Sequence, residues 1–103
     1  MTRFVRRSDA AELDLQEIAF QIAFTSRRPK LADVIIDELI AECEKLAELS
    51  ATAKIGTHAP ELGSDIRLFS YKRWVIIFRY EPHGIDVLRI ADGSQEYLFW
   101  KLG

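Results

Sequence analysis

The chain has 103 residues, 49% of them hydrophobic and 29% charged, with a formal net charge of -2 at pH 7. This balance excludes a disordered or low-complexity chain and fits one globular domain, residues 1–103, without the basic excess of a protein that grips nucleic-acid phosphates. One cysteine, Cys43, excludes an internal disulfide and points to a reduced, cytoplasmic setting.

In chain order, residues 3–7 read as a short strand, and Ser8 offers a side-chain oxygen to cap the helix that follows, with Asp9 and Glu12 in its first turn. Ala11, Leu15, Ile18 and Ile22 recur at helical spacing, while Leu13, Phe20 and Phe24 form a neighbouring stripe. So wide an apolar face suits a helix that touches two surfaces. Pro29 cannot continue that helix and opens a second, residues 29–50, with Leu39, Cys43 and Leu46 inward and Asp33, Asp37 and Glu48 outward. The short connection makes the pair an antiparallel hairpin.

Residues 51–64 read as loop, because Gly56, Pro60 and Gly63 break both periodicities. A strand from Asp65 to Ser70 turns at Tyr71-Lys72-Arg73 into a second strand, Trp74 to Glu81. Pro82-His83-Gly84 has turn chemistry, and Ile85 to Ile90 completes a three-strand meander. Residues 95–102 end the chain as either a strand or a short helix. The middle strand is apolar on both alternating sets: Trp74, Ile76, Phe78 and Tyr80 on one face, Val75, Ile77 and Arg79 on the other. The helical hairpin covers one face. The other is expected to be a large apolar patch that awaits a partner.

Recognised catalytic constellations are missing. His58 and His83 have no ligand-spaced neighbours, no Gly-rich phosphate loop occurs, and no serine sits in a nucleophile elbow, so neither metal nor cofactor is expected. No apolar run approaches the ~20 residues of a membrane span. The amino terminus has no signal-peptide core. The charge is uneven: residues 1–64 hold eight Lys and Arg against eleven Asp and Glu, residues 65–103 six against five.

The order of these elements, with Ser8-Asp9-Ala10-Ala11, Leu13 to Ile18, Pro60-Glu61-Leu62-Gly63, Ile66-Arg67, Val75 to Tyr80 and Ile85 to Ile90, resembles the ParE/RelE superfamily of bacterial toxins, closest to its ParE-type branch. The resemblance covers essentially the whole chain and is carried by order and spacing. It implies an α+β fold: an N-terminal strand and an antiparallel helical hairpin packed on one face of a small antiparallel sheet. Family members follow the last strand with a His-Gly-Ser-Arg-Asp-like segment; here Asp92, Gly93, Ser94, Gln95 and Glu96 stand there. RelE-type members cut ribosome-bound mRNA with basic residues and usually a tyrosine. This chain keeps Arg67, Arg89 and Tyr97, but Gln95 carries no charge, which places RNA cleavage second.

What the ParE-type resemblance implies is a non-enzymatic toxin of a type II toxin–antitoxin pair. It would poison DNA gyrase and be neutralised in a hetero-oligomer by a ParD-like antitoxin with a ribbon–helix–helix end, which alone meets DNA. A chain that binds antitoxin without being toxic, serving as co-repressor, is a third reading. Candidate antitoxin-binding or toxicity residues are Arg67, Trp74, Arg79, Arg89 and Tyr97. The arginines offer bidentate pairing to an acidic tail, against the alternative that Arg79 and Arg89 pair internally with Glu81 or Asp86. The expected docking surface is the groove between hairpin and sheet, together with the sheet's uncovered face.

Overall fold

A computed structural model describes residues 3–93. The elements are β1 (Phe4–Arg7), α1 (Asp9–Ser26), α2 (Pro29–Leu49), β2 (Thr57–His58), a single 3-10 turn at Pro60–Leu62, β3 (Ile66–Tyr71), β4 (Trp74–Glu81) and β5 (Gly84–Asp92). Local chemistry sets the helix ends. Ser8 is extended, and its Oγ accepts from the Ala11 amide at 3.0 Å, which satisfies one donor of the first turn. Arg27 takes a left-handed conformation at the other end, and Pro29 stands in the opening turn of α2.

The five strands form one mixed sheet in the order β1-β5-β4-β3-β2. The meander is antiparallel as expected; β1 is added parallel to β5, pairing Phe4 with Gly84 through Arg7 with Val87. Gly84 makes that approach possible, since a β-carbon there would fall 2.1 Å from the Phe4 carbonyl oxygen. The β3–β4 turn is closed by Lys72 at φ 55°.

Two clusters sandwich β4. Trp74, Ile76 and Phe78 meet Ala11, Leu15, Leu39, Cys43 and Leu46 of the helices. The second cluster corrects an expectation. Val75 and Ile77, on the far face, are only 6% and 5% exposed and pack with Ala59, Ile66 and Ala91, flanked by Leu62 and Leu68. The segment expected to be loop supplies part of this cover: β2 pairs antiparallel with β3, and Ala59 and Leu62 come from the chain just beyond it. Two residues are too few to show a strand period, so Gly56 and Pro60 hid β2. The sheet's far face is therefore not the open apolar patch.

A bulge in β5 shapes the contact with α1. Ile77 pairs with Arg89 and Phe78 with Val87, which leaves Leu88 as the extra residue. Backbone groups around a bulge need partners from elsewhere. Ser8 Oγ donates to the Leu88 carbonyl at 2.8 Å, and Asp14 accepts from the Ile90 amide at 2.8 Å. One helix thus completes the hydrogen bonding of the irregular strand it lies on.

Candidate functional site

Arg67 of β3 projects from the same face as its β4 partner Phe78 into a cleft of about 620 Å³. The cleft lies where the end of α2, the α2–β2 connection and the end of β4 converge, lined by Arg3, Lys54, His58, Arg67, Tyr80 and Glu81 among others. Tyr80 organises it. Its hydroxyl accepts from the Ile55 amide at 2.6 Å and lies 3.2 Å from the Ile55 carbonyl, which pins the connection to the sheet. Lys54 Nζ stands 4.4 Å from the Tyr80 ring centre and Arg67 Cζ 5.7 Å, both within cation–π range.

Two of the cations are held in place by neutral oxygens. Arg67 Nη1 donates to the Gly56 carbonyl at 3.0 Å; Arg3 donates to Ser50 Oγ at 2.7 Å and to the Pro82 carbonyl at 2.8 Å. Gly56 fits there because a β-carbon would meet the Leu68 carbonyl oxygen at 2.8 Å, and its φ is +93°. Among the described residues, no carboxylate lies within ion-pair distance of Arg3, Lys54 or Arg67. Asp65 and Glu81 line the same cleft, yet neither takes one of these cations. Three cations facing one cleft, none tied to either of its carboxylates, suit a site that receives an anion.

The other sequence candidates fall elsewhere. Trp74 is buried in the helix-side core and borders a second groove, about 510 Å³, between α1 and the sheet, with Ile18, Ile22 and Ile90. Arg89 enters that groove, held by both oxygens of Asp14 at 2.8 and 2.9 Å. Its tie is thus to a helix, not to the neighbouring Glu81 or Asp86 that the internal-pairing alternative named. Arg79 follows that alternative, 3.3 Å from Glu81 and 3.6 Å from Asp86. Tyr97 lies outside the described residues. Arg3 and Lys54 are not among the candidates the sequence offers; His58 enters there only as lacking ligand-spaced neighbours, and Tyr80 only as part of one face of β4. Each comes from a different segment, so no linear spacing joins them to Arg67.

A second polar cluster sits at the β3–β4 turn. Glu38 of α2 accepts from the Tyr71 hydroxyl at 2.8 Å and from Lys72 Nζ at 2.9 Å. The Lys72 hydrogen bond, then that of Tyr71, holds the Glu38 carboxyl below its ordinary range, and both partners are shifted upward by Glu38. This cluster ties hairpin to sheet. Among the described residues, no group of His, Cys, Asp and Glu is arranged to hold a metal ion, and no helix is long and apolar enough to cross a membrane.

A strand, a helical hairpin on one sheet face and a meander define a small α+β domain with a cationic cleft. The class is sharpened by comparison. The family model described as the ParE toxin of the type II toxin–antitoxin system, parDE, matches residues 5–97, and the chain belongs to that family. Its fold is similar to that of a solved structure of the chromosomal ParDE TA system from P. aeruginosa. The TM-score is 0.71 at 17% identity, covering 88% of this chain and 96% of that one. No curated protein matches the sequence significantly.

Proposed function

We propose that this chain is the toxin of a type II toxin–antitoxin pair, acting in the cytoplasm by stalling DNA gyrase on cleaved DNA. A ParD-like antitoxin with a ribbon–helix–helix end holds it inert in a hetero-oligomer, and the chain meets DNA only through that antitoxin. The observation that carries the reading is the ParE-toxin match over residues 5–97. The geometry supports a division of labour. The groove between α1 and the sheet, with Trp74 in its wall and Arg89 at its rim, seats the apolar side of the antitoxin's folding tail. The cleft around Arg67 takes its carboxylates. Arg79, already paired with Glu81 and Asp86, contributes least.

A second reading has one observation in its favour. His58, Lys54 and Arg67 line one cleft, and a histidine beside two cations is the equipment for moving a proton from a ribose 2′-hydroxyl while stabilising the phosphoryl charge. Ribosome-dependent mRNA cleavage would use it.

Inducing the chain in bacteria, with and without its antitoxin, separates the readings. Growth arrest with a DNA-damage response is expected, relieved by the antitoxin. Arrest with cut messages would favour the second reading, and harmless expression would remove both. Arg67→Ala is expected to lower antitoxin affinity about ten-fold or more, as loss of a desolvated charge pair does. Unchanged affinity and toxicity would remove Arg67 from the site.

A further inference from the structure

α1 is apolar on two opposite sides. Ala11 and Leu15 are buried, and Ile18 and Ile22 pack against the same core. Half a turn away, Leu13, Phe20 and Phe24 are 63%, 62% and 71% exposed. Their spacings of seven and four residues align them along one outward face, and the two phenylalanine rings stack with centroids 5.9 Å apart. Singly exposed apolar residues are ordinary; an aligned row of three large ones on the helix's solvent side is a surface that awaits cover. Among the described residues, the open apolar face of this chain is on the helix and not on the sheet.

The ends of the row indicate what covers it. Asp9 stands one turn before Leu13, and Arg27 and Arg28 follow the helix's last turn; among the described residues none of the three has an ion pair. The row therefore begins acidic, runs apolar and ends basic. Such a surface matches its own copy turned end for end. A twofold axis across the middle of α1 sets Leu13 against Phe24, Glu17 beside Phe20, and Asp9 against Arg28, so each charged end meets its opposite.

We infer that the outer face of α1 is a self-association surface, on which a second copy of this chain docks through antiparallel α1–α1 packing. The inference is independent of the target or antitoxin proposed above. A helix of 18 residues is about 27 Å long, and one such pair covers less than the ~1,200 Å² of a stable interface. The dimer is consequently weak and concentration-dependent, and it leaves both the cationic cleft and the α1–sheet groove open.

Sedimentation velocity on the purified full chain, across a wide concentration series, tests this directly. The expected result is a monomer–dimer equilibrium, with Phe24→Glu lowering dimer affinity about ten-fold or more. Asp9→Lys alone weakens the dimer, and adding Arg28→Glu to the same chain restores it. Only the antiparallel register gives that rescue. Circular dichroism and melting temperature of each variant guard against misfolding, because all three positions are exposed in the monomer. A chain monomeric at every concentration would overturn the inference. So would a Phe24→Glu variant that dimerises like the parent, or one whose only defect is loss of antitoxin binding.

Discussion

Asp14 binds three donors: Nε and Nη2 of Arg89 and the amide of Ile90. Removing its carboxylate would break these ties between α1 and the bulged strand and leave a half-buried guanidinium without that partner, so its role is architectural. Nothing local announces it, since the partners lie 75 and 76 residues away. Ser8 and Pro29 act through their own neighbours, and their roles were legible for that reason. Cys43 shows the same contrast in a titrating group. Its place on an inward helix face was readable, and burial then pushes its thiol from 9.0 up to about 12, outweighing the attraction of Arg7. Because the folded value is raised, the preference for the fold is complete below the unfolded value and is lost as pH rises through about 12. At pH 8 the thiolate fraction is roughly a thousand-fold below that of an exposed cysteine. A thiol reagent should label the native chain negligibly and the denatured chain fully; rapid native labelling would mean that the site opens.

Elements were legible where their period was long enough to read. Both helices and the meander met that condition, and the mixed character of the sheet did not, because β1 pairs with β5 across nearly the whole chain. That pairing rests on Gly84. Gly84→Ala places a methyl group 2.1 Å from the Phe4 carbonyl oxygen and 2.7 Å from its ring, so β1 must move or detach. The expected cost is about 1–3 kcal/mol, read as a fall in melting temperature of about 4–8 °C per kcal/mol. An unchanged melting temperature would mean that β1 does not lie against Gly84. The two-sided hydrophobicity of β4 was read correctly as burial on both faces, but its second cover was assigned to a partner. Ala59 and Leu62 supply part of it from within the chain. The width of α1's apolar surface was the better guide to an open face, since Leu13, Phe20 and Phe24 had no inward position left to occupy.

At the scale of the whole molecule, charge is sorted more sharply than the net value of -2 suggests. Most arginines on the sheet are tied to carboxylates: Arg6 to Asp86, Arg73 to Asp92, Arg79 to Glu81, Arg89 to Asp14. Among the described residues, Arg3, Lys54 and Arg67 are left facing one cleft with no such tie. A reading by segments could assign Arg67 to β3, but only the folded sheet brings it to Arg3 and to the α2–β2 connection. The cleft at the Tyr80–Glu81 end of β4 and the groove at its Trp74 end are what an acidic, apolar tail running along this chain would need in order to fold onto it. The most direct test is a plasmid cleavage assay with purified DNA gyrase, the purified chain and its antitoxin. The chain alone is expected to make gyrase accumulate cleaved plasmid, and pre-binding the antitoxin to abolish the effect. Gyrase that supercoils and religates normally at saturating concentrations of a folded chain would contradict that expectation.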